Sequence, residues 1–67
     1  MAEIQLNGKA EDIVEGISVS ALLETRGVNP KRVVVELNRR ILAREEFETA
    51  LLGHGDEVEV VTFVGGG

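Results

Sequence analysis

Sixty-seven residues with no cysteine, and twelve acidic against seven basic side chains for a net charge of −5, describe one small acidic domain. It lies near the lower size limit for a core unaided by disulfides or metal. That balance, with two phenylalanines and no Trp or Tyr, argues against nucleic acid as a ligand and favours a protein partner with a basic docking surface. The missing cysteine excludes a disulfide framework, a thiol nucleophile and a thiolate metal site. No apolar run approaches a membrane span and no basic-then-apolar leader opens the chain, so the expected setting is soluble and cytoplasmic, with no membrane partner.

Ala2-Glu3-Ile4-Gln5-Leu6 alternates, which predicts a half-buried strand with Ile4 and Leu6 facing in. Asn7-Gly8 follows, the pair most suited to the two positive-φ positions of a type I′ turn, so a second strand from about Lys9 to Val14 should fold back on the first. Its weak pattern and its charges suit a sheet edge. After Glu15-Gly16, Ser18 stands at a helix N-cap, and Val19, Leu22 and Leu23 form one apolar stripe on a helix running to about Arg26. Gly27 supplies a left-handed end and Pro30 prevents continuation. Arg32 to Asn38 reads as a strand with Val33, Val35 and Leu37 on one face. Asn38-Arg39-Arg40 turns the chain into a short strand at Ile41-Leu42-Ala43, and Arg44 to Leu52, with Phe47, Ala50 and Leu51 at helical spacing, reads as a short helix or helical turn. Gly53-His54-Gly55-Asp56 is a tight loop into a last strand from Val58 to Val64.

This order, with one helix to lay across one mixed sheet of four or five strands, is the simplest two-layer α+β solution. The last strand could then return beside the first and parallel to it. The expected organisation is a domain over residues 1–64 and a tail, Gly65 to Gly67. Three glycines leave no side chain to pack. Two readings of such a thread stand side by side: an ordinary frayed terminus, or a slender tail that enters a channel and presents its last carboxylate to another protein's chemistry.

Leu6-Asn7-Gly8 after the first strand, Leu22-Leu23 in the helix and Val35-Glu36-Leu37-Asn38-Arg39-Arg40-Ile41 followed by Arg44-Glu45 together resemble the ThiS branch of the ThiS/MoaD sulfur carriers. These are ubiquitin-like proteins of the β-grasp fold that serve thiamine and molybdopterin synthesis. The strongest part of the resemblance is Gly55-Asp56-Glu57-Val58-Glu59-Val60-Val61 ending in Phe63-Val64-Gly65-Gly66-Gly67. Two positions depart from the pattern: Ala43 stands where a proline is expected, and His54 where an acidic residue is common. Both bear on local turn geometry and leave the tail untouched.

The resemblance implies a carrier that is not itself an enzyme. An E1-like adenylating enzyme of the ThiF type activates the Gly67 carboxylate with ATP and Mg²⁺, and a donor such as a cysteine desulfurase supplies sulfur. The thiocarboxylate then serves a thiazole synthase of the ThiG type. Gly65 and Gly66 thread the tail, and Val61, Phe63 and Val64 dock the partner. The carrier binds no cofactor of its own. Two other readings remain, a MoaD-like carrier for molybdopterin synthesis and a ubiquitin-like interaction module that conjugates nothing.

The side chains themselves are consistent with a carrier, since no Ser/His/Asp or Cys/His set is present to form a triad and no catalytic residue is expected. Val61 and Phe63 share strand parity with Glu57 and Glu59 and so should face water, unless a bulge turns Phe63 inward. His54 reads as a solvated loop residue and Arg39-Arg40 as a solvated turn. Glu45-Glu46-Glu48 and Asp56-Glu57-Glu59 read equally as a solubility feature or as steering charges. Their spacing lacks a calcium loop, and no metal site is expected.

Overall fold

The computed structural model describes residues 1–63 and begins with a hairpin. Strand β1 (Ala2–Leu6) turns at Asn7-Gly8, whose φ angles of 52° and 82° are the two positive values a type I′ turn requires, into β2 (Lys9–Ile13). The register runs from Ala2↔Ile13 to Leu6↔Lys9. The ladder stops one residue short of the predicted end and leaves Val14 exposed.

Helix α1 (Val19–Thr25) starts where Ser18 Oγ accepts the Ala21 N–H at 3.0 Å. It ends with Gly27 N–H donating to Glu24 C=O and Val28 N–H to Leu23 C=O. Those two bonds make a Schellman end, with Gly27 at φ 69°. A seven-residue helix is too short to persist by itself, so it is held by burying Val19, Leu22 and Leu23. Pro30 does more than stop the chain. It opens a 3-10 turn, Pro30–Arg32, in which Asn29 Oδ1 accepts the Lys31 N–H at 2.9 Å.

Strand β3 (Val33–Leu37) turns at Asn38-Arg39, again with two positive φ values, into the two-residue β4 (Arg40–Ile41). Leu42 leaves the strand but its N–H still donates to Val35 C=O at 2.9 Å. Consequently Leu42 is buried while Ile41 faces out.

The segment from Arg44 to Leu52 differs from the expected helix. Only Arg44–Glu46 forms a 3-10 turn, and after Ala50 the backbone straightens. Leu51 bridges Ser18, with Val19 N–H donating to Ala50 C=O and Leu52 N–H to Ile17 C=O. Extended backbone alternates its faces, so Leu52 is buried whereas Leu51 is 63% exposed. Phe47, also buried, closes the 3-10 turn with its N–H donating to Arg44 C=O.

Strand β5 (Glu57–Thr62) completes a mixed sheet in the order β2-β1-β5-β3-β4, parallel to β1 and antiparallel to β3. Five strands with one helix across them form the β-grasp arrangement. Ile4, Leu22, Leu23, Val35 and Val58 are buried between the layers, and Leu6, Leu37 and Val60 pack half-buried against them. Among the described residues, no helix is long and apolar enough to cross a membrane.

Candidate functional site

Strand β5 leads to the tail, and its position is set by two asparagines at the tips of the two hairpins. At its start, Asn38 brackets the backbone. Its N–H donates to Glu57 C=O (2.8 Å), its Oδ1 accepts the Glu57 N–H (2.9 Å), and its Nδ2 donates to Asp56 Oδ1 (3.1 Å). The other Asp56 oxygen accepts the Gly53 N–H at 2.9 Å. Farther along, β1 has already ended, and Asn7 Oδ1 reaches over to accept the Val60 N–H at 2.7 Å. Each asparagine therefore does two jobs: it occupies the left-handed backbone position of a turn, and its side chain completes the hydrogen bonding of β5.

The two jobs are separable. Asn7→Gly keeps the turn and loses the clamp, which should cost about 1 kcal/mol. Asn7→Ala loses both and should cost about 1–2 kcal/mol more, because alanine resists positive φ. Faster hydrogen exchange at the Val60 amide in both variants is the expected signature. Unchanged exchange there would remove the clamp from this account.

The outer face of the sheet carries the predicted docking residues. Val61 is 59% and Phe63 51% exposed, on the same parity as Glu57 and Glu59, and Phe63 N–H donates to Arg32 C=O at 2.8 Å. No bulge intervenes, because the β3–β5 register is continuous from Leu37↔Val58 to Val33↔Thr62. Cross-strand pairing adds Val34 opposite Val61, and Ile41 opposite Glu36 lies diagonal to Val34 on the same face. Ile41 was missed as a surface residue because Ile41-Leu42 is a pair of apolar neighbours, and only the pairing with β3 decides which faces out. Val64, Gly65, Gly66 and Gly67 lie outside the described residues.

The remaining candidates are placed as follows. His54 is exposed, as expected, but engaged: its Nδ1 accepts the Glu3 N–H at 3.2 Å, and Gly55 N–H donates to Glu3 C=O at 2.9 Å. Arg39 is exposed, and Arg40 pairs with Glu46 at 3.3 Å. Asp56 is a structural anchor and not only a surface charge. Among the described residues, no group of three or more His, Asp or Glu side chains is placed to hold a metal ion.

Glu46 accepts the Ala43 N–H at 2.9 Å, and this bond, with Arg40 beside it, holds its carboxyl below the ordinary value. A carboxyl depressed in the folded state stabilises the fold fully above its unfolded value of 4.5, and the contribution is lost as pH falls through the lower folded value. Glu46→Gln should therefore lower the melting temperature slightly at neutral pH and flatten the acid limb of the profile below pH about 4.5, where wild type loses the same small contribution. An unaltered acid limb would show the Glu46 carboxylate to be energetically silent.

A family model described as the ThiS family matches residues 4–67, nearly the whole chain and through the glycine tail. The chain belongs to the ThiS family. The sulfur carrier protein ThiS of Bacillus subtilis is 35% identical over 65 residues, covering 96% of this chain and 98% of that one. A crystal structure of the thiamine biosynthesis protein ThiS from Geobacter metallireducens superposes with a TM-score of 0.84 at 37% identity, covering 97% of this chain and 99% of that one. A thiazole synthase of Magnetococcus marinus is 35% identical over 65 residues, and there this ThiS-family chain spans only 20% of the relative's length.

Proposed function

We propose that this ThiS-family protein is a sulfur carrier for thiamine synthesis, a protein co-substrate and not an enzyme, whose working group is the Gly67 carboxylate. The family match through residue 67 carries this reading, since it includes the three glycines. A carboxylate is a poor electrophile because its charge repels nucleophiles. An E1-like enzyme overcomes this with ATP and Mg²⁺: a Gly67 carboxylate oxygen attacks the α-phosphate, pyrophosphate leaves, and the acyl carbon gains AMP as a leaving group. The outer sulfur of a persulfide, as a cysteine desulfurase carries, then attacks the acyl carbon and AMP leaves. A second thiol cleaves the resulting acyl disulfide, forming a disulfide with the donor cysteine and releasing the thiocarboxylate. A thiazole synthase partner is supported by relatives of that name that contain a segment like this chain.

The experiment is intact-mass spectrometry of the chain purified beside its activating enzyme. A fraction heavier by the difference between sulfur and oxygen is expected; its absence from an active mixture would favour an interaction module.

In the same reading, the outer-face patch of Val34, Ile41, Val61 and Phe63 docks the activating enzyme, and Glu36, Glu57 and Glu59 on that face steer it towards basic surfaces. Phe63→Ala should weaken binding by roughly tenfold, as loss of an aromatic anchor does, while melting stays nearly unchanged because half of the ring is already in water. A large fall in melting temperature with normal binding would assign Phe63 to the fold instead.

A further inference from the structure

We infer that the distal half of β5 is an open sheet edge at which the enzyme receiving the tail adds a short extended segment of its own backbone. The inference rests on the carrier reading. On the β3 side, β5 bonds through alternate residues, since Asn38 N–H donates to Glu57 C=O and Phe63 N–H to Arg32 C=O. Antiparallel geometry then makes Glu36↔Glu59 and Val34↔Val61 the hydrogen-bonded pairs and turns the backbone groups of Val58, Val60 and Thr62 the other way, towards β1. Strand β1 meets only the first part of that edge: Gln5 N–H donates to Asp56 C=O and Asn7 N–H to Val58 C=O, and the parallel register ends at Leu6↔Val58. Asn7 Oδ1 takes the Val60 N–H. Beyond it, the Val60 C=O and the Thr62 N–H and C=O have no backbone partner among the described residues.

The space that β1 leaves is not filled from the helix side either. A groove of ≈ 200 Å³ lies there, lined by Leu6, Leu23, Arg26, Val28, Val60 and Thr62. A strand added in line with β1 would satisfy the free groups of β5 and direct one apolar side chain into this groove, the usual division between backbone affinity and side-chain specificity. The position of the tail selects the occupant. On the carrier reading the reacting carboxylate belongs to Gly67, four residues beyond Phe63, and four residues reach no farther than about 14 Å when fully extended. The enzyme that works on the carboxylate must therefore close around the chain beside Thr62, where the open edge lies.

Thr62→Pro tests this, because the Thr62 N–H makes no bond to β3 and proline is tolerated where a strand's N–H faces an open edge. The probe is an E1-like adenylating enzyme that releases pyrophosphate with the wild-type chain. Thr62→Pro should raise KM by about tenfold or more with kcat within about twofold, whereas Thr62→Val, which keeps the N–H, stays near wild type. Independently of any variant, the wild-type Thr62 amide should exchange with solvent at least about tenfold more slowly in the complex than in the free chain. Unchanged exchange at Thr62 in an active pair, or an unchanged KM in folded Thr62→Pro, overturns the edge and leaves the carrier reading standing. No activation of wild type by any such enzyme overturns both.

Discussion

Gly67→Ala, and separately a chain extended by one residue, should yield no thiocarboxylate while melting like wild type. Adenylation requires the carboxylate to meet the α-phosphate of ATP inside an enclosed site, where reacting atoms must approach to about 3–3.5 Å. A Cβ at Gly66 or Gly67 would crowd both the channel and the path to the carbonyl carbon, and an added residue would displace the carboxylate by about one residue length of 3.3–3.6 Å. Misplacement of even 1 Å can cost about 10²-fold, so loss to below detection is the expected scale. Gly65→Ala should retain most activity, since position 65 lies farthest from the reacting carbon. Stability should not change, because the last ladder bond among the described residues is that of Phe63 to Arg32. Pyrophosphate release and intact mass with the activating enzyme decide the matter. If the extended chain were activated as fast as wild type without trimming, the terminal carboxylate would not be the reacting group.

Leu22→Ala or Leu23→Ala should cost roughly 2–5 kcal/mol, the range for emptying a well-packed leucine site. At about 0.05–0.15 kcal/mol per residue, a domain of this size holds only some 3–10 kcal/mol in total, so either change could unfold it near physiological temperature. Both side chains are 2% exposed or less and lie between the sheet and the short helix. The helix has little stability of its own to fall back on. Denaturant titration gives the measurement, and a cooperative transition with a nearly unchanged midpoint in both variants would place the helix outside the core.

Several features of this fold were legible residue by residue because the forces behind them act over one to four positions. Asn7-Gly8 dictates a type I′ turn, Ser18 and Gly27 bound the helix, and Val19, Leu22 and Leu23 share a face whatever they meet. The strand alternation of β5 likewise put Val61 and Phe63 on the solvent side, and the resemblance carried by Gly55 to Gly67 pointed to the family. Other features depended on contacts between distant parts of the chain. Arg44 to Leu52 has a helical pattern, yet its second half is extended because Ala50 and Leu52 bond with Ile17 and Val19, a pairing that no local spacing announces. Which of Ile41 and Leu42 faces water was decided by pairing with β3. The side chains of Asn7 and Asn38 were readable as turn formers, but their second role appears only once β5 lies between the two hairpins. The open edge at Thr62 is likewise a property of register: β1 is too short to cover the strand beside it, and only folding shows where it stops.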